Sequence, residues 1–238
     1  MIDLHTHVLP GLDDGPATMA VSVDMARSMV ADSIRVAAAT PHVRGDFPTT
    51  PERMERGVEQ LAAALAEARV PLDLVTGGEL AIDVLPSLSD EDLRRFSLGG
   101  NSRYLLVETP YAGWPVELHE CLYDLRRKGF VPVLAHPERN REVQRHPELI
   151  APFVAGGVLI QLTAASLDGR LGAPSRAAAA VLLRRGLAHL VASDAHGPAV
   201  RAAGMSGARD ALQNPGLWHR LSTAVPESIL VSGLTRPR

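Results

Sequence analysis

Seven short runs of apolar, β-prone residues alternate along this chain with longer stretches of helical periodicity, and no linker separates them. The runs lie at Ile2–His5, Arg35–Thr40, Leu72–Gly77, Tyr104–Glu108, Val131–His136, Val158–Leu162 and His189–Ser193. The stretches between them predict helices over Ala17–Asp32, Pro51–Ala68, Val116–Lys128, Pro147–Ala155, Pro174–Arg185 and Gly207–Gln213. The segments IRVAAAT, YLLVETP, VPVLAHP and HLVASDAH are apolar nearly throughout, as strands covered on both faces must be. Repeated β-then-α units of this kind form a parallel sheet clothed by helices. A closed seven-stranded barrel fits better than an open sheet, because no GxGxxG fingerprint of a dinucleotide fold follows the first run. Thr50 before Pro51, and Pro147, mark helix starts. Gly129 and Gly186 stand just past helix ends, where a left-handed residue is wanted.

A chain of 238 residues can bury one large core, and it is read as a single domain over 1–238. Its net charge of −3 and the lack of a basic run argue against nucleic acid as a main partner. Cys121 is the only cysteine, so no intramolecular disulfide forms and nothing suggests an oxidising compartment. The start MIDLHTH lacks the basic and apolar regions of a signal peptide. No apolar run is long enough to span a bilayer, so the expected location is the cytoplasm. There is no internal repeat, and the tail GLTRPR is expected to be loose.

Polar residues gather where the strands end. His5 and His7 close the first, His42 the second and Glu108 the fourth; Glu79 follows the third. His136 ends the fifth with Arg139 close behind, and Asp194 and His196 follow the seventh. In a parallel barrel these ends share one rim, where such folds build their sites. Alternate residues on a strand share a face, so His5 and His7 can grip one metal ion, and Asp194 and His196 repeat the spacing. Imidazole and carboxylate ligands without thiolate suit Mn, Fe or Zn ions. A lone strand-end histidine is ordinarily a hydrogen-bonded structural residue, and His119, His146, His189 and His219 are read that way. The cluster is different: Glu79, Glu108, Asp194 and five histidines on one rim need cations to balance buried charge.

Cys121 and Arg127 have the bare spacing C-x5-R of cysteine-dependent tyrosine phosphatases. That chemistry needs a phosphate-cradling loop, whereas Leu118, Leu122 and Leu125 place Cys121 on a helix.

Taken together, IDLHTHVLPGLDDG, ATPHV, GGEL, GGNSRYLLVETP, LAHPERN and SDAH resemble the PHP (polymerase and histidinol phosphatase) superfamily. Within it they are most similar to the bacterial capsule-type, manganese-dependent protein tyrosine phosphatases. The resemblance runs from Met1 to about Arg201 and the helix after it. It implies a distorted (β/α)7 barrel of TIM-like form with three divalent metal ions at the strand ends. His5, His7, Glu79 and Asp194 match the ligands of one ion. Glu79 as a bridge, with Glu108 and His136, matches a second; Asp14, His42 and His196 match the third. Asp13 is left as a turn residue or one that supports a ligand from behind. Arg139 matches a phosphate-binding arginine; Arg201 stands where the family has another, with Arg209 as a poorer substitute.

The resemblance implies hydrolysis of phosphotyrosine in proteins, with an autophosphorylated tyrosine kinase of capsule or exopolysaccharide export as the partner. A phenol leaves with a pKa near 10, so strong acid help is less needed than for an alkyl ester. Tyr111 and Trp114, in TPYAGWP, are candidates for an aromatic wall beside the phosphotyrosine ring, with loop packing as the alternative. A histidinol-phosphate or other small-molecule phosphatase would use the same cluster. A phosphodiesterase is disfavoured by the missing basic groove, and a non-catalytic metal-binding module by the arginine beside the ligands.

Overall fold

The computed structural model describes residues 1–197 and 201–231; the tail from Gly233 lies outside the described residues. Among the described residues ten strands form: β1 (Ile2–Thr6), β2 (Val36–Ala39), β3 (His42–Arg44), β4 (Phe47–Pro48), β5 (Asp73–Thr76), β6 (Glu79–Ala81), β7 (Tyr104–Glu108), β8 (Val131–Leu134), β9 (Leu159–Thr163) and β10 (Leu190–Ala192). All pair in parallel except the β3–β4 hairpin. Two of the expected strands end at a break, beyond which the chain resumes as a further short strand. The second is β2, followed by β3 after Thr40–Pro41, where proline has no N–H for the ladder. The third is β5, followed by β6 after Gly77–Gly78; a Cβ on Gly78 would lie 2.6 Å from the buried Phe96 ring, so only glycine lets the backbone pass.

The pairing runs β1–β2–β5 in one sheet and β10–β9–β8–β7–β6–β3–β4 in the other, so the chain passes from sheet to sheet at the two breaks. A parallel bridge between Thr6 and Ala195, with His7 N donating to the Ala195 carbonyl at 2.9 Å, joins the two ends. Leu4, Ala38, Leu106, Val133 and Leu190 are buried in one cluster, and Val75 and Leu159 pack against it. Each of the seven barrel strands thus contributes to a common filling, as the interior of a curled barrel requires. Ile229, from the helix Val225–Val231, and Leu98 complete that cluster. A larger core lies between strands and helices. In the helix Pro51–Glu67, capped by the Thr50 hydroxyl, Met54, Val58, Leu61 and Leu65 form the buried stripe.

Gly129 and Gly186 do adopt positive φ past the helices Leu118–Arg127 and Ala173–Arg184. The expected helix Pro147–Ala155 is instead a 3-10 turn, Pro147–Ile150, followed by the helix Ala151–Ala155. Pro152 cannot donate to the Glu148 carbonyl, so one continuous α-helix is barred. Short helices at Asp90–Arg95, Arg141–Arg145, Ala164–Leu167, Pro215–His219 and Val225–Val231 are additions to the predicted set. No helix among the described residues is long and apolar enough to cross a membrane.

Candidate metal centre

Strand register assembles the cluster. His42 pairs with Glu79 across β3 and β6, and Ala81 pairs with Glu108 across β6 and β7. β1 shifts register between Asp3 and Thr6, around His5. Such bulges re-aim side chains beside active sites. His136 follows β8 and Asp194 follows β10, each with the positive φ that sharp turns impose.

Four groups of ligand atoms result, each with its atoms within 4.8 Å of one another: His5, His7 and Asp194; His5, Glu79 and His136; His42, Glu79 and Glu108; and His7, Asp14, His42 and His196. All nine candidate ligands therefore converge. Glu79 sits at the middle, with Oε1 2.9 Å from His136 Nε2 and 3.3 Å from His5 Nε2. Its Oε2 is 2.8 Å from His42 Nδ1 and 3.2 Å from His7 Nε2. Asp14 forms the open edge, with Oδ1 3.1 Å from His196 Nε2 and 3.4 Å from His42 Nε2. His7 reaches the Asp14 group as well as its expected partners, and His42 lies beside Glu79 and Glu108 as well as Asp14.

The protonation pattern is that of a cation site. His7 Nδ1 donates to Asp13 Oδ2 at 2.6 Å, and His5 Nδ1 donates to Gln161 Oε1 at 3.0 Å. The two Nε2 atoms then face each other at 3.2 Å with carboxylate oxygens around them. Burial opposes charge on these rings, but the surrounding Glu79, Asp194 and Asp13 carboxylates raise both imidazoles above their ordinary range, so positive charge is wanted between them. Buried carboxylate oxygens and imidazole nitrogens converge from every side, an arrangement that a metal cation satisfies in place of protons on the rings. Burial pushes the His136 imidazole down to about 4, so it is neutral beside Glu79, as a metal-ligating imidazole must be. Burial, reinforced by the Glu79 charge, pushes Glu108 up to about 8. Burial also opposes charge on Glu79, but His5 and its other imidazole partners pull it well below the usual carboxylate range. Two adjacent buried carboxylates thus resist joint ionisation without added positive charge. The donor set fits divalent cations of the Mn, Fe or Zn kind.

Both expected arginines stand at the cluster. Arg139 NH1 donates to Asp194 Oδ2. Arg201 donates to His196 Nε2 at 2.8 Å and to Asp14 Oδ2 at 3.1 Å. Arg209 instead pairs with its neighbour Asp210 on an exposed surface. Asp13 supports the ligands from behind, because it also accepts the backbone N–H of His42 at 2.9 Å and of Gly15 at 3.0 Å. Tyr111 lies 5.8 Å from the His136 ring, and the Arg139 guanidinium sits 4.6 Å from its centroid. Trp114 is not part of any wall at the centre: it packs edge-on to Phe153, at 5.8 Å, against the main core.

Cys121 is in the helix Leu118–Arg127, where burial raises its thiol pKa, and Arg127 pairs with Asp124 in the open. That reading of C-x5-R is closed. His146 pairs with Glu148, and His189 Nδ1 accepts from Ile160 N, as structural histidines do.

Three supporting residues escaped the sequence reading. Gln161 is a lone polar side chain inside the apolar run LIQLT, a signal that was available. Glu138 accepts Thr163 N at 2.9 Å and the Ser166 hydroxyl at 2.7 Å, which pins the turn carrying His136 and Arg139. Arg44, at the β3–β4 hairpin, reaches within 3.7 Å of Glu108 Oε2.

Residues 1–225 match the family model described as capsular polysaccharide synthesis, CpsB/CapC. The chain belongs to that family. Among its relatives, the tyrosine-protein phosphatase YwqE of Bacillus subtilis is 38% identical over 199 residues, covering 82% of this chain and 77% of YwqE. The tyrosine-protein phosphatase CpsB of Streptococcus agalactiae is 28% identical over 212 residues, covering 84% and 85%. A solved family structure, from work on YwqE of B. subtilis and CpsB of Streptococcus pneumoniae as metal-dependent tyrosine phosphatases, superposes with a TM-score of 0.87. It is 34% identical and covers 98% of this chain and 95% of its own.

Proposed function

We propose that this CpsB/CapC-family chain is a metal-dependent protein tyrosine phosphatase. Its substrate in this reading is an autophosphorylated tyrosine kinase that controls capsular or exopolysaccharide synthesis, met in the cytoplasm. One observation carries it: nine imidazole and carboxylate ligands converge at a barrel rim with two arginines beside them. The names of the relatives support the substrate class. We read residues 1–238 as one phosphatase domain, which the match over 1–225 supports.

Three divalent cations, Mn²⁺ in our reading, would be held by His5, His7, Glu79 and Asp194; by Glu79, Glu108 and His136; and by Asp14, His42 and His196. Bound there, they supply Lewis acidity, making a water nucleophilic at neutral pH and neutralising phosphoryl oxygens. The protein does the rest by position. Arg139 offers a rigid planar fork to the phosphoryl oxygens as charge redistributes, with Arg201 beside the Asp14 edge. Tyr111 offers a ring face at the entrance for the substrate's own ring. Phenolate departs with little protonation, so the chain needs no strong acid aimed at the leaving oxygen.

The test is kcat/KM on a phosphotyrosine peptide, a phosphoserine peptide and histidinol phosphate, at one pH with saturating Mn²⁺. Preference for the tyrosine peptide is expected. Far better turnover of histidinol phosphate would make the chain a small-molecule phosphatase.

A further inference from the structure

The ligand cluster occupies only one end of the opening at the rim. A cavity of about 570 Å³ leads away from it; Glu108 belongs to both, and Tyr111, beside the His136 ring, lines the cavity. One wall is the β3–β4 hairpin, with Arg44 and Asp46; the other is the segment after β7, ending at Glu117. Asp83, just after β6, lies between them. Phe47 anchors the hairpin by stacking on His42 at 5.8 Å, so this wall is built directly onto the centre. Tyr111 stands at the junction, with the Arg139 guanidinium on its ring and the cavity beside it. A phosphoryl group at Arg139 therefore has a space beside it that is in the size range of whole small-molecule sites, and larger than one aromatic side chain needs.

The charges around that space are unequal. Arg44 is its one lining cation, and it is already held by Asp46 at 2.8 Å and lies 3.7 Å from Glu108. Asp83 and Glu117 are exposed, and neither forms an ion pair among the described residues. Cations at the centre would draw on Glu108 but leave these two acids uncompensated.

We propose that this cavity receives the polypeptide flanking the phosphotyrosine, and that Asp83 and Glu117 select for a lysine or arginine side chain there. The inference rests on the phosphatase reading above and adds a sequence preference to it. The occupant is a peptide with basic flanks because the space continues from the phosphoryl site and its free charges are negative. Each exposed charge pair is worth up to about fivefold in binding, weakening as salt rises.

The experiment compares two phosphotyrosine peptides that differ only in lysine or glutamate on both sides of the phosphotyrosine, at low ionic strength, alongside para-nitrophenyl phosphate. The Mn²⁺-loaded wild-type protein is set against a D83N/E117Q double variant. We expect kcat/KM on the lysine peptide to exceed that on the glutamate peptide by on the order of tenfold, mainly through KM. The double variant should lose most of that ratio while hydrolysing para-nitrophenyl phosphate at the wild-type rate. Equal turnover of the two peptides by the wild type, or a ratio unchanged in the variant, overturns the inference and leaves the phosphatase reading standing. Failure to hydrolyse either peptide or the aryl phosphate overturns the phosphatase reading itself.

Discussion

Asp13 separates support of the metal site from ligation, and its substitution has a calculable outcome. Its side chain is only 1% exposed, and its two oxygens serve three donors. Oδ2 accepts from His7 Nδ1 at 2.6 Å and from His42 N at 2.9 Å, while Oδ1 accepts from Gly15 N at 3.0 Å. In Asp13→Asn, the amide oxygen keeps two of these bonds only by turning its NH₂ onto the Gly15 N–H. One donor is then unpaired, costing about 1–3 kcal/mol, and the charge that holds the His7 tautomer is gone. Asp13→Ala loses all three bonds. Partners of this kind typically contribute about 10–100-fold to metal affinity or activity. The assay is a Mn²⁺ titration of aryl phosphate hydrolysis, paired with thermal melts of the metal-free and loaded protein. Half-saturating Mn²⁺ should rise about 10–100-fold in Asp13→Ala, less in Asp13→Asn, with activity recovering at excess metal. An Asp13→Ala protein with the wild-type half-saturation and the wild-type melt would refute the reasoning.

Chelation should abolish phosphate release and added Mn²⁺ restore it, while Cys121→Ser keeps a near-normal rate; loss of activity in a folded, metal-replete serine variant would reinstate thiol chemistry. Arg139→Ala should lower kcat by about 10²–10³ with bound metal retained, as measured by elemental analysis beside steady-state kinetics. Wild-type kinetics would remove Arg139 from the site. Gly78→Ala should overpack against Phe96 and destabilise by about 1–3 kcal/mol, with activity lost before the fold because Glu79 follows directly. A melting temperature unchanged from wild type would show that the break between β5 and β6 tolerates a side chain.

The barrel strands were legible because each is short, parallel and covered on both faces, so apolar residues run together and stop abruptly at a polar end. Tyr104–Glu108 has the same bounds in the sequence reading and in the structure for this reason. Periodicity likewise marked the helix Pro51–Glu67, whose caps are local. Local signals failed where elements are too short to have a period: the hairpin His42–Pro48 pairs only Val43 with Pro48 and Arg44 with Phe47 around Gly45–Asp46, and only its contact with the rim gives it a place. Ligand chemistry was visible as residue types at strand ends, since position along a parallel strand fixes the rim it faces. Which side chains stand behind the ligands was visible only for Asp13, six residues from His7 in the same turn; Gln161 and Glu138 act across 156 and 25 to 28 residues of chain. Hydrogen-bond partners that distant are set by barrel closure alone. The cavity beside Glu108 is likewise a tertiary product: its walls come from three βα segments that no sequence spacing relates, and the barrel's curvature decides which of their charges share one space.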